Sequence, residues 1–428
     1  MLRAGAALPR NAPCRARSTR PRFNRLPLWR TALAAALITS AAAPALGADS
    51  LMSSSRGSID MIYVDSELAP QSGGGGDRRA SRTADGRHPI YRQLSEALAD
   101  YQQDWGGLPQ VEIADGPPIR TGSTGERVRQ LRDRLGLYPD GTFDSEVQDR
   151  LRAYQAAHGL PVDGIAGRQT VQSLNRGASY YEGLIQANLE RARALPAVPR
   201  GRYLLVDAAA AQLWMYEDGR PVDSMRVIVG KPTEQTPMLA AYVRYAVVNP
   251  YWNVPPDLVQ QRIATNVLDR GLGYLRERRY EVLSNWSPGA EPVDPSTIDW
   301  RAVADGRTEV RVRQLPGEGN MMGDVKFMMS DELGIYLHDT PDRQLFDADD
   351  RRLSSGCVRL EDASRLEQWL LGDQARPHSS APEQRVDLPE PVPVFITYLT
   401  VAPSEGRLVF RDDVYGRDAV RLSELASR

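Results

Sequence analysis

Two residues in this sequence have the types and setting of a nucleophile and its base. Cys357 stands in Ser354-Ser355-Gly356-Cys357-Val358-Arg359, and His338, nineteen positions earlier, in Ile335-Tyr336-Leu337-His338-Asp339-Thr340-Pro341. The only other cysteine, Cys14, lies in an arginine-rich leader. An exported chain that keeps one thiol cannot close an internal disulfide, and in an oxidising compartment that thiol is exposed to damage. The competing reading is an inert, buried cysteine. The expected compartment and the nearby histidine argue against it.

A thiol attacks a carbonyl only as its thiolate, so a base or a nearby cation must favour the anion. His338 and Arg359 supply one of each. Glycine before the cysteine lets the backbone approach a tetrahedral oxygen, which makes the N–H groups of Gly356 and Cys357 the expected oxyanion donors. The base must have its second ring nitrogen oriented by an acceptor. Asp339 offers a carbonyl and a carboxylate for this.

Rival chemistries fare worse. His338 and Asp342 alone do not make a zinc site, because no third ligand arrives at suitable spacing, so no metal or cofactor is expected. Neither Lys231 nor Lys326, the only lysines, has serine three residues before it, which excludes a Ser-x-x-Lys acyl-enzyme. The four glycines at 73–76 sit in a polar tether rather than a phosphate loop. His88 and His378, in proline-bearing polar segments, are expected to be solvated, and His158 to lie on the surface of a turn.

The elements that must position this pair give an α+β fold. Period-two runs at 203–206, 212–216, 225–229 and 243–248 read as strands, with Asp218-Gly219 as a hairpin turn. A second β block covers 394–401 and 408–410. After the cysteine, Asp362 to Leu371 reads as a short helix ended by Gly372, with Ala363, Leu366 and Leu370 inward. Residues 255–320 form an insertion that reads as a cap, with a plain surface excursion as the alternative. Upstream, 116–176 is a three-helix unit with an internal echo, Asp140-Gly141 answered by Asp163-Gly164, and with Ser123-x-x-Glu126 as a capping box. Helical scaffold is expected at 88–115 and 177–200, and a flexible linker at 49–87.

Residues 1–48 hold eight arginines and no acidic residue, followed by an alanine-rich stretch and small residues near Ala43 to Ala48, the layout of a secretory signal. The apolar stretch, about 16 residues, falls short of the roughly 20 of a spanning helix. The remaining chain has 45 basic and 55 acidic residues, which argues against nucleic acid as a partner. No later segment is apolar enough to span a membrane.

Two resemblances follow from these motifs. Gly125-Glu126-Arg127-Val128-Arg129-Gln130-Leu131, the two Asp-Gly turns, Gly159-Leu160 and Thr170 are similar to the small peptidoglycan-binding domain of wall enzymes. His338-Asp339-Thr340-Pro341 with Ser354 to Arg359 resembles the L,D-transpeptidase (YkuD) catalytic domain, here 201–428. Val229-Gly230-Lys231, Thr236-Pro237, Asn249 to Pro255 and Gly319 to Phe327 resemble its large proteobacterial branch. That resemblance implies a periplasmic enzyme in which Cys357 attacks a tetrapeptide stem at the third residue, D-alanine leaves, and an acceptor stem resolves the thioester into a 3→3 cross-link. His338 would move the proton, Asp339 would orient it, and Tyr336, Ser355, Arg359 and Trp252 would contact the stem. Water or a lipoprotein lysine as acceptor, and an inactive peptidoglycan-binding scaffold, are the alternatives. Partners would be peptidoglycan stems and other cell-wall synthesis proteins.

Overall fold

The computed structural model describes residues 61–69, 87–196, 201–287, 289–329, 334–372, 380–404 and 406–426. The leader, the glycine run and His378 lie outside these residues.

The architecture is α+β around one large sheet. Its strands are β1 (Ile62–Tyr63), β2 (Arg202–Asp207), β3 (Gln212–Glu217), β4 (Arg220–Gly230), β5 (Leu239–Val248), β10 (Val325–Met328), β11 (Leu337–His338), β12 (Arg352–Ser354), β13 (Val358–Leu360) and β14 (Gln384–Thr397). They run in the order β1-β5-β10-β11-β13-β4-β3-β2-β14, with β12 beside β4. The long β14 also pairs antiparallel with β5, so the sheet curls back on itself. Alternation sends Leu204, Val206, Leu213, Met215, Val227, Val229, Leu337, Val358 and Leu360 into one core. Each such fully buried side chain contributes about 1.5–3 kcal/mol. Asp218 and Gly219, both at positive φ, make the tight turn between β3 and β4.

Helix α6 (Ala363–Leu371) packs Ala363, Leu366 and Leu370 onto this core. Asp362 caps it, its carboxylate accepting the Arg365 N–H, and Gly372 at φ 60° ends it. Part of the expected linker is ordered instead. Ile62 and Tyr63 extend the sheet as a parallel edge beside Leu239 and Ala240, because their apolar side chains pack against the core.

A second core joins the upstream helices to the outer surface of the sheet. Helices α1 (Pro89–Tyr101), α2 (Glu126–Arg134), α3 (Ser145–Ala157), α4 (Arg168–Arg176) and α5 (Ala178–Arg193) bury Leu94, Val128, Leu131, Leu151, Leu174 and Ile185 together with Tyr203, Leu205 and Phe395. Three details differ from expectation. The capping box does not form: Gly125 is the N-cap of α2, and the Ser123 hydroxyl accepts the Arg120 N–H. His158 is buried, its ring stacked on Tyr154 and hydrogen-bonded to the Tyr101 hydroxyl at 2.9 Å. His88 is buried too, capping α1 and meeting the Tyr203 hydroxyl at 2.9 Å. Polar sequence neighbours concealed both, since the partners lie far away in the chain.

The insertion has its own core of Val254, Leu258, Val259, Ile263, Trp300 and Val312. It contains a four-stranded sheet, β6 (Trp252–Val254), β9 (Arg311–Gln314), β7 (Tyr280–Leu283) and β8 (Pro292–Val293), in that spatial order. A helical run from Pro256 to Arg270, widened into a π-type turn over Val259–Ala264, packs beside it. A final hairpin, β15 (Val401–Ser404) and β16 (Arg407–Phe410), lies against the upstream helices.

Candidate active site

Strands β11 and β13 run parallel and place Leu337 opposite Val358 and His338 opposite Arg359. Because side chains alternate, Leu337 and Val358 enter the core while His338 and Arg359 point to the other face. The Val358 N–H donates to the Tyr336 carbonyl at 2.9 Å, which carries the register back to Cys357. Tyr336, His338, Cys357 and Arg359 thus come from adjacent strands onto one side of the sheet. A one-residue slip of either strand would turn its own reactive group into the core.

His338 is buried, and its Nδ1 lies 2.5 Å from the Asp339 carbonyl. With Nδ1–H donating there, Nε2 is the acceptor. Burial, followed by the charges of Arg359 and Lys326, pushes the imidazole down to about 3, so it is neutral at pH 7. The Asp339 carboxylate serves elsewhere. Oδ2 accepts the Asp324 N–H at 2.9 Å, and Oδ1 meets the Arg343 guanidinium at 2.5 Å. Gly323 makes this possible, since a Cβ there would sit 2.3 Å from Asp339 Oδ2. Asp339 therefore orients His338 through its backbone while its side chain anchors the turn.

The loop carrying Cys357 is held by a set of short contacts. The Ser354 hydroxyl donates to the Cys357 carbonyl at 2.5 Å and accepts the Gly356 N–H at 3.2 Å. The Ser354 carbonyl takes the Lys231 N–H at 2.9 Å. The Gly356 carbonyl takes the Thr236 hydroxyl at 2.8 Å. Gly356 itself is at φ 109°, a region open mainly to glycine. The expected oxyanion role of Gly356 needs correction, because its N–H is already committed to Ser354 Oγ. Cys357 is half-buried, with its sulfur 3.5 Å from the Gly334 carbonyl.

Arg359 is mostly buried and pairs with Asp342 at 3.5 Å, while its Nε has no hydrogen-bond partner among the described residues. Burial foremost holds its basicity below the usual value; Asp342 and Cys357 oppose this, and the charge of Arg262 adds to it. Arg262 belongs to the insertion, so that subdomain reaches the neighbourhood of the pair. Tyr336 and Ser355 are half-buried beside the pair in sequence. Trp252 lies on β6 in the insertion, opposite Gln314. No group of three or more His, Cys, Asp or Glu side chains gathers in metal-binding fashion among the described residues.

Sequence reasoning assigned no role to Ser354, Thr236 or Gly323. Their importance arises from contacts to residues up to 120 positions away, a signal absent from local spacing.

Residues 201–395 match the L,D-transpeptidase catalytic domain family, YkuD, and residues 124–174 match the family described as "Putative peptidoglycan binding domain". A Haemophilus influenzae protein named "Putative L,D-transpeptidase" is 33% identical over 276 residues, covering 60% of this chain and 54% of that protein. The chain thus spans about half the length of that relative. A spore cortex-lytic enzyme of Bacillus cereus is 39% identical over 79 residues, 17% of this chain and 30% of the relative. Among solved structures, the L,D-transpeptidase of Xylanimonas cellulosilytica is 17% identical with a TM-score of 0.21, covering 66% of this chain and 98% of that one. So loose a superposition carries no structural argument. Residues 201–395 are thus similar to the L,D-transpeptidase catalytic domain of the YkuD family, and residues 124–174, ahead of them, to a peptidoglycan-binding domain.

Proposed function

We propose that the chain is an exported, periplasmic enzyme that forms 3→3 peptidoglycan cross-links through a thioester on Cys357. The observation that carries this reading is the register of β11 and β13, whose alternation turns His338, its ring oriented by the Asp339 carbonyl, and Cys357, the residue before β13, to the same side of the sheet. His338 Nε2 takes the proton from Sγ as sulfur attacks the carbonyl linking the stem's third residue, a meso-diaminopimelate, to terminal D-alanine. An imidazolium whose pKa is depressed by burial gives that proton up readily, here to the departing D-alanine nitrogen. The Cys357 backbone N–H is the oxyanion donor we assign. An amine from a second stem then attacks the thioester, its proton passing to His338 Nε2 and on to the departing sulfur, which restores the thiol.

Arg359, whose Nε has no hydrogen-bond partner among the described residues, is assigned to a stem carboxylate, and Tyr336 and Ser355 to contacts along the stem. The test is incubation of purified protein with disaccharide-tetrapeptides, followed by mass spectrometry. Cross-linked dimers and free D-alanine are expected, and neither from Cys357→Ala. Persistent cross-linking by that variant would overturn the site, while hydrolysed tripeptide alone would make water the acceptor.

A further inference from the structure

The insertion contains a cavity of about 80 Å³ lined by Trp252, Tyr274, Tyr280, Met321 and two arginines, Arg262 and Arg278. That is room for several water-sized groups. Three carboxylates of the insertion are spent on other arginines: Glu277 on Arg270 at 2.8 Å, Glu281 on Arg313 at 2.8 Å and Asp305 on Arg307 at 2.9 Å. Neither Arg262 nor Arg278 has an ion-pair partner among the described residues. Burial keeps the Tyr280 phenol protonated, so it too presents an O–H rather than an anion. Two unpaired guanidinium groups at the rim of an aromatic-walled cavity form a receptor for a planar anion.

Position narrows the ligand. Arg262 stands on the π-type turn of the insertion, near enough to act electrostatically on Arg359, the ladder partner of His338. Of the other cations around the pair, Lys326 is engaged with Glu383 at 3.4 Å, and Arg359, whose Nε is assigned above to one stem carboxylate, lies 3.5 Å from Asp342. We infer that the cavity takes a carboxylate of the stem peptide, with Arg262 as its principal cation and Arg278 as its second, and so selects free-acid over amidated stems. This rests on the reading of the chain as an enzyme of stem peptides. A guanidinium pairs with a carboxylate through two charge-assisted hydrogen bonds and finds one acceptor fewer, without the charge, in a carboxamide.

The experiment separates the two readings by measuring binding without turnover. In full-length Cys357→Ala protein, calorimetry compares a tetrapeptide stem bearing diaminopimelate as the free acid with the same stem as its carboxamide. The free acid is expected to bind about tenfold more tightly. Adding Arg262→Gln should reduce that ratio to near one, weakening the free acid far more than the amidated stem, and Arg262→Lys should restore part of it. Unchanged discrimination in Arg262→Gln, or equal loss on both stems, would overturn the assignment. D-alanine release by the unsubstituted protein, measured in parallel, judges the transpeptidase reading independently.

Discussion

The Thr236 hydroxyl links two backbones that meet at the candidate active site: it accepts the Gly230 N–H and donates to the Gly356 carbonyl, both at 2.8 Å. Thr236 is fully buried, and the Gly230 carbonyl is in turn held by the Tyr415 hydroxyl. The loop before the nucleophile is thereby tied to the end of β4. Thr236→Val preserves the shape but strands both backbone groups, so a loss of about 1–3 kcal/mol in urea unfolding is expected. Because the loop then loses its anchor, D-alanine release should fall by roughly tenfold or more, mainly in kcat. Unaltered kinetics would show that the tie supports folding alone.

Gly323→Ala tests the anchor beneath the base. The added methyl meets the Asp339 carboxylate at 2.3 Å with φ at +62°, so the turn must shift. The expected cost is about 1–3 kcal/mol of backbone strain. A thermal melt should show it, and the displaced Asp339 carbonyl should lower the activity with it. An unchanged melting temperature would refute the contact.

Three buried histidines make stability depend on pH. Burial pushes His88 and His158 down to about 4 and His338 to about 3. Unfolded, each would take a proton near 6.5, so between about 4 and 6.5 the unfolded chain binds more protons. Stability is therefore full above pH 6.5 and falls as the pH drops toward 4. The loss for each shielded ring is about 2 kcal/mol at pH 5. Urea midpoints measured from pH 7 to pH 5 should decline, and His158→Gln should flatten the slope. A pH-independent midpoint would contradict the burial of these rings.

A carbapenem offers a strained acyl donor to the thiol. Intact-protein mass spectrometry is expected to show one adduct, mapped to Cys357, and none on Cys357→Ala. That variant should melt within a few degrees of the parent, since a half-buried sulfur contributes little packing. An active preparation that takes up no drug would count against a thioester route.

The strands β2 to β5 and helix α6 were readable in advance because their burial follows local periods of two and about 3.6, and because Asp218-Gly219 and Gly372 mark their ends. The two buried histidines were misread for the opposite reason. Their polar sequence surroundings suggested water, yet tyrosines 57 and 115 residues away supply their hydrogen bonds. Likewise the glycine before Cys357 pointed to an oxyanion donor, but the Ser354 side chain folds back and takes its N–H.

By itself the chain's order of residues determined the reactive types, a thiol and an imidazole within short turn-bounded motifs, together with the alternation that gives each strand an inner and an outer face. What required three dimensions was the pairing of β11 with β13 in one register, which puts both groups on the same outer face. The tertiary arrangement also brought Thr236, Gly323 and Arg262 to that site. Local composition cannot encode such meetings, because burial and hydrogen-bond partnership are settled only when distant segments compete for the same surface.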